Sequence, residues 1–351
     1  MIPIGIISGL CNWGPTVIFI TNFLAIVPLA VMMSFATEQV SQVVGATTAA
    51  LLNATFGNAV ELVVSAFALI NGHIDIVQWS MLGSILSNLL LVPGASFLCG
   101  NIAKMRVASN NGVQQTFNPE LVQTASLLMV ISAAMFLIVS TFSLGFETAE
   151  PVEKLHDILV LSRTIAILSL ALYIAVIYFQ HVTHHNLFKG VDEEHGEAEL
   201  GAVGATLVLL VITVLVTINA HYLVDSIDSF ITTNGISKGF VGVILIPIIG
   251  NAVEHWAALD AAVKDNMDLS LAITTGSSIQ MAFLITPLLV LFGWVLGQPM
   301  SLDFGLFGGV NLVCSVLVLA YTMQDGKSNY LEGVGLIVWY IVLATAYWFF
   351  R

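Results

Sequence analysis

The sequence predicts an all-α polytopic membrane protein with about eleven transmembrane helices, and three observations predict it. Hydrophobic residues make up 58% of the 351 residues, charged residues only 9%, and the mean hydropathy is +0.96. No Asp, Glu, Lys or Arg occurs over 1–37, 76–103 or 269–302. A polar motif recurs at a fixed offset inside apolar runs. A soluble domain carries about 25% charged residues, so this composition excludes a soluble enzyme and a disordered chain. The net charge of −13, with nine Lys plus Arg in all, excludes a nucleic-acid binder.

Taken in order, spans are expected near 2–11, 16–41, 43–70, 76–100, 121–143, 158–181, 203–231, 238–264, 270–296, 304–323 and 331–350. The first is shorter than a crossing needs. It lacks a basic n-region, so a cleaved signal peptide is not expected. Spans longer than one bilayer imply tilt or a break. Helices are the only spanning form that fits, because barrel-type alternation is absent and backbone groups in lipid must bond within their own segment. Between the spans, 101–120 holds Lys104 and Arg106, 145–157 is acidic, and 190–200 crowds Asp192, Glu193, Glu194, Glu197 and Glu199 together. That run reads as a solvated surface or as a cation sensor. The basic residues divide five against four between the two sides, which barely favours the N-terminal side as cytoplasmic. Cys11, Cys99 and Cys314 form no C-x-x-C pair and suggest neither a disulfide framework nor a thiolate metal site.

The repeat gives the organisation. Phe56-Gly57-Asn58-Ala59-Val60-Glu61 recurs as Ile249-Gly250-Asn251-Ala252-Val253-Glu254. Gly83-Ser84-Ile85-Leu86-Ser87-Asn88 recurs as Gly276-Ser277-Ser278-Ile279-Gln280-Met281. Both pairs are offset by 193 residues, as 61 to 254 and 83 to 276 show. Glu61 falls in the third span and Glu254 in the eighth. An odd separation means that the copies cross in opposite directions, as in transporters built from inverted repeats with a site near the midplane. The division expected is a short first helix over 1–15, a first repeat over 16–181, an acidic linker over 182–202 and a second repeat over 203–351.

Within each G-N-x-x-E, Asn and Glu share one helix face, and Gly permits close approach or unwinding. A carboxylate at mid-membrane must be paired, protonated or metal-bound. Glu61 and Glu254 supply two, and Asn58, Asn251, Ser84 and Ser277 supply amide and hydroxyl oxygens. This is the donor chemistry of a hard cation such as Ca2+, without the soft ligands of copper or zinc. Two such carboxylates cannot both stay ionised once the cation leaves, so its loss is matched by proton uptake. The plain alternative for the glutamates is a structural ion pair; for Asn58, Asn251, Ser84 and Ser277 it is interhelical hydrogen bonding. Gln280 and Asn88, polar in apolar runs, read either way. His255 can relay protons or simply pack. Glu38 ends the uncharged run as a portal carboxylate or an interfacial residue. His181, His184 and His185 read as an interfacial cluster rather than a metal site, and Asn53-Ala54-Thr55 as a chance sequon inside a span.

At these residues the sequence resembles the calcium/cation antiporter superfamily, in its Ca2+/H+ exchanger branch and closest to the fungal vacuolar type. The segments that carry the likeness are 34–39, 51–62, 83–91, 246–255, 262–271, 276–280 and 323–333. The resemblance implies one leading helix followed by two inverted five-helix repeats. It implies that Glu61 and Glu254 bind Ca2+ or protons in turn, assisted by Asn58, Asn251, Ser84, Ser277 and Gln280. It sets Glu38 near the cytoplasmic path and the run 192–199 in an acidic helix that senses cytosolic calcium. It implies a vacuolar membrane, or a plasma membrane in a prokaryote, and no cofactor, and it leaves Mn2+ transport and a homo-oligomer open. The chain departs at His221, where similar proteins tend to carry an acid mirroring Glu38. The rivals are a sodium-coupled calcium exchanger on the same fold and, further off, a cation channel. No motif supports an enzyme.

Overall fold

A computed structural model describes residues 1–44, 52, 55–108, 114–145, 151–184 and 200–350. Eight helices are long and apolar enough to cross a membrane among these residues, or nine with the bent pair Lys238–Gly250 and Ala252–Val263, which turns by 61° at its break. The chain order is α1 (Ile2–Leu10), α2 (Pro15–Val43), α3 (Ala59–Ile70), α4 (Ile74–Leu86), α5 (Val92–Ala108), β1 (Gln115–Thr116), α6 (Pro119–Gly145) and α7 (Pro151–Tyr178). It continues with α8 (Ala202–Asn234), α9 (Lys238–Phe240), α10 (Ile246–Gly250), α11 (Ala252–Val263), α12 (Met267–Gln280), α13 (Thr286–Leu296), α14 (Gly305–Thr322), β2 (Lys327–Ser328) and α15 (Tyr330–Phe349). The two short helices α1 and α3 lie in the expected first and third spans.

Wider π-helical turns follow α4 (Ser87–Leu91), α7 (Phe179–Thr183), α9 (Val241–Leu245) and α12 (Met281–Ile285). Three of the four have a proline two residues on: Pro93, Pro247 and Pro287. Proline lacks an N–H, and its ring crowds the carbonyl four residues back. Those carbonyls belong to Leu89, Val243 and Phe283, inside the three turns. Widening to an i+5 bond relieves the crowding without ending the helix.

The 193-residue offset holds in the backbone. α3 and α11 begin at 59 and 252 and end at 70 and 263, and α4 and α12 begin at 74 and 267. The corners that follow α3 and α11 also match. Gly72 (φ +78°) and Asp265 (φ +62°) both take the left-handed conformation. Gly72 N donates to Leu69 O and His73 N to Ala68 O; Asp265 N donates to Ala262 O and Asn266 N to Ala261 O. Glycine adopts this conformation freely and Asp tolerates it.

The chain forms two compact units, which cut across the repeats rather than along them. The first comprises 1–80, 194–253 and 347–351. Its centre is the pair α2 and α8. Phe19 stacks on Phe230 at 3.9 Å, Thr213 Oγ1 lies 3.9 Å from Met33 Sδ, and Leu200 N donates to Gln39 Oε1 at 3.0 Å. Rising numbers on α2 meet falling numbers on α8, so the two run antiparallel. Buried residues recur every three or four positions on each, as Ala25, Leu29, Met33 and Ala36 against Ala205, Leu209, Ile212, Val216 and Ala220. Their outer faces are apolar and exposed, with Val31, Phe35, Leu207 and Val211, as suits contact with lipid. α1 packs against this pair through Gly5 and Gly9, a G-x-x-x-G spacing that lets helices approach closely. A Cβ at Gly5 would lie 2.6 Å from Asn219 Oδ1 and 2.9 Å from Asn22 Oδ1.

The second unit comprises 81–193 and 254–346. β1 and β2 pair antiparallel, Gln115 with Ser328 and Thr116 with Lys327. Trp339 Nε1 donates to Ser315 Oγ at 3.1 Å, and Phe136 meets Phe304 edge to face at 5.0 Å. The Arg163 guanidinium lies over Trp294, 4.7 Å from the ring centre, at the level of the last turn of α13.

The Asp265 corner is tied down inside this unit. Gln115 Nε2 donates to Asp265 Oδ1 at 3.0 Å and to Ala262 O at 2.8 Å, and Lys104 Nζ lies 3.0 Å from the same carboxylate. Partial burial pushes the Asp265 carboxyl up, but the hydrogen bonds from Gln115 and Lys104 and the lysine's charge outweigh it and hold the carboxyl below its ordinary 3.8. The group therefore contributes stability above about pH 4, lost as pH falls through the lowered folded-state value. The carboxylate is 51% exposed, so the contribution is under about 1 kcal/mol. Asp265→Asn keeps the left-handed tolerance and removes only the charge. It is expected to lower the melting temperature by a degree or two at pH 7, on the order set by that energy, and to match wild type near pH 3. Melting curves at the two pH values check this; an equal deficit at both would assign the effect to geometry, not charge.

Candidate functional site

The first unit holds the N-terminal ends of both G-N-x-x-E motifs. Asn58 (φ −104°, ψ 23°) immediately precedes α3, and Asn251 (φ −89°, ψ 15°) separates α10 from α11. Both backbones lie in the sparsely populated bridge region, so each repeat breaks its helix at the motif asparagine. The Asn residues are 1% and 0% exposed. Glu61, in the first turn of α3, is 5% exposed, and neither carboxylate oxygen has a hydrogen-bond partner among the described residues. The carboxylate rests against the last residue of α10. A Cβ at Gly250 would lie 2.5 Å from Glu61 Oε1 and 3.1 Å from its Cδ. The glycine of the second motif thus makes room for the glutamate of the first, and the two copies interlock.

The second unit brings together the Gly-Ser motifs. Ser84, Ser87 and Asn88 are at most 1% exposed and Ser277 is 6% exposed. Asn88 Nδ2 donates to Ser277 Oγ at 2.9 Å, again joining one copy to the other, while Asn88 Oδ1 is buried with no partner among the described residues. Gln280 is partly buried at the end of α12, next to the π turn. Glu254 is half-buried in the first turn of α11. His255 beside it leaves Nε2 buried without a hydrogen bond among the described residues, so none through that nitrogen reaches the Glu254 carboxylate.

Of the remaining expectations, Glu38 lies near the end of α2, where its Oε1 accepts from Gln42 Nε2 at 3.3 Å. His221 is paired: its Nε2 lies 3.5 Å from Asp225 Oδ2, one turn along α8, and its ring faces Phe67. His184 stacks on Phe179 and shares a hydrogen bond with Thr183 Oγ1. Asp192, Glu193, Glu194, Glu197, Glu199 and His185 lie outside the described residues, as do Asn53 and Ala54 of the sequon. Sequence reasoning passed over Asp225, Asp228, His73, Asp75 and Lys238, scattered singly along the chain. The signal available was the i, i+4 spacing of His221 and Asp225.

Residues 14–182 and 204–349 match the sodium/calcium exchanger protein family. The chain is 40% identical to a vacuolar calcium ion transporter of Schizosaccharomyces pombe, over 99% of this chain and 83% of that protein. It is 37% identical to a Ca2+/H+ antiporter of Aphanothece halophytica, over 99% of this chain and 94% of that one. Among solved structures it is similar to native YfkE, with a TM-score of 0.82 at 34% identity, covering 99% of this chain and 97% of that one. A selenium-substituted crystal structure of the Ca2+/H+ antiporter protein YfkE matches equally well. An H+/Ca2+ exchanger CAX shares the fold, with a TM-score of 0.71 at 12% identity.

Proposed function

As the chain belongs to the sodium/calcium exchanger protein family, we propose that it is a proton-driven Ca2+ antiporter that moves cytosolic Ca2+ into an acidic compartment such as the vacuole. One observation carries this: the carboxylate of Glu61 is buried within membrane-spanning sequence with both oxygens unpartnered among the described residues, against the helix break at Gly250 and Asn251. A carboxylate so placed stays only if a cation or a proton neutralises it. Glu61 and Glu254 take Ca2+ or protons in turn. Asn58, Asn251, Ser84, Ser277, Asn88 and Gln280 supply neutral oxygens on this reading. Ca2+ is cargo here, not a resident cofactor. Releasing it without replacement would leave bare carboxylates in low dielectric, so protons follow as it departs. Alternating access is assigned to movement of peripheral helices around the fixed centre. The names of the similar transporters and antiporters support the assignment.

The test is 45Ca2+ uptake into proteoliposomes holding the purified chain, under an imposed pH gradient or an imposed sodium gradient. Uptake is expected with the pH gradient and not with sodium alone. Uptake that follows sodium and ignores pH would overturn the reading and favour a sodium-coupled exchanger.

A further inference from the structure

We propose that a proton-charged latch fastens the C-terminal half of α8 to the α3–α4 corner: His73 tightens it across the joint when the compartment it faces is acid, and His221 balances the charge of Asp225 from within α8. Five contacts within the first unit compose it. Lys238 Nζ lies 2.8 Å from Asp75 Oδ2 and 3.6 Å from Asp228 Oδ1. His73 Nδ1 lies 3.7 Å from Asp228 Oδ2. Asn71 Nδ2 donates to Asp225 Oδ1 at 3.1 Å, and His221 Nε2 lies 3.5 Å from Asp225 Oδ2. Three carboxylates thus face one ammonium and two imidazoles.

The charge balance decides the direction. With both imidazoles neutral, three negative charges meet one positive charge, and Asp225 and Asp228 repel each other at i, i+3 on α8. Protonating His73 and His221 makes the cluster neutral and turns each long His–Asp contact into an ion pair. An imidazole changes charge between about pH 5 and 8, a range an acidic compartment spans. The side chains are 22% to 59% exposed on the protein surface rather than sealed in its core. Among the described residues no further ion pair involves these side chains, and α1 and α2 carry no Asp, Glu, Lys, Arg or His before Glu38. Cys11 between them, Glu61 at the far end of α3, Tyr222 on α8 and Tyr347 at the end of α15 are further titratable groups that these elements bring.

The corner is stiff enough to serve as a catch. Gly72 ends α3 in the left-handed conformation, His73 N bonds back to Ala68 O at 2.8 Å, and Asp75 Oδ1 accepts from Ile76 N at 3.0 Å. On the other side, Ser237 Oγ accepts from Phe240 N and so fixes the start of α9, where Lys238 stands. The latch also holds the end of α3 opposite Glu61, which sits in its first turn; twelve residues of helix span about 18 Å. Proton supply at this end would thereby bear on the helix that carries the buried carboxylate.

Hydrogen exchange on the full-length protein in lipid nanodiscs tests this without any transport step, so it can fail or succeed independently of the antiport reading. After correction for intrinsic exchange, peptides covering 68–76 and 222–238 are expected to open about three- to ten-fold more at pH 7.5 than at pH 5.5, the scale of two partly exposed ion pairs. The double variant His73→Gln, His221→Gln is expected to flatten that difference. Each single variant, and Asp228→Asn, should remove part of it, with Asp228→Asn adding nothing on top of His73→Gln. A pH-independent wild type would overturn the latch. So would a double variant, or single variants if the double does not fold, that keep the full wild-type difference.

Discussion

Glu61→Gln is expected to abolish proton-driven Ca2+ uptake while leaving the protein folded. The side chain keeps its shape and loses its charge. Neither oxygen has a hydrogen-bond partner among the described residues, so neutralisation breaks no bond seen there and removes an uncompensated buried charge. Folding stability should therefore hold or rise. On the proposed function the cation, by contrast, loses a charged ligand. Removing one partner from a buried charge pair costs about 3–5 kcal/mol, or roughly 10²- to 10⁴-fold in affinity. Glu254→Gln, at the matching position of the second copy, should act the same way. Uptake assays joined to melting curves separate the outcomes. A Glu61→Gln protein that melts normally and still carries Ca2+ at an appreciable rate would remove the glutamate from the site.

Gly250→Ala is the second change with a large expected effect, and it distinguishes the interlocked copies from two independent motifs. The added methyl would meet Glu61 Oε1 at 2.5 Å, its Cδ at 3.1 Å and its Cγ at 3.2 Å. Three atoms of one side chain lie inside normal contact, so the whole carboxylate must move, not only its tip. Overpacking of this kind costs about 1–3 kcal/mol, and a displacement on the order of 1 Å is enough to spoil a ligand geometry. The apparent Ca2+ affinity should fall about ten-fold or more, with a modest loss in melting temperature. Gly204→Ala in the first turn of α8 is the control, because a methyl there meets nothing within 4 Å. Equal effects from the two alanines would mean that the space Gly250 leaves for Glu61 plays no part in Ca2+ binding.

Much of this was legible in the chain, for identifiable reasons. Long charge-free runs are dictated by the lipid solvent, so most expected spans fall on described helices with boundaries off by up to eight residues, while of the third, 43–70, the structure describes α3 over 59–70. The repeat is a property of order and spacing. Its 193-residue offset reappears in the ends of α3 and α11 and even in the paired left-handed residues Gly72 and Asp265. The π turns were legible in principle through Pro93, Pro247 and Pro287, because proline acts on a carbonyl four residues away and so works locally. The bend at Asn251 was signalled only by its glycine neighbour.

What the sequence by itself determined is whatever periodicity, apolar length and local backbone chemistry dictate: a helical membrane protein, its spans, its two opposed copies, and the carboxylates and amides set within them. What only the tertiary structure decided is which residues far apart in the chain share a place. Gly250 makes room for Glu61 across 189 positions, Asn88 meets Ser277, and His73, Asp75, Asp228 and Lys238 converge from three segments. None of these pairings follows from spacing along one helix. They depend on how antiparallel helices slide and rotate against one another, and that is set by packing the whole buried surface at once.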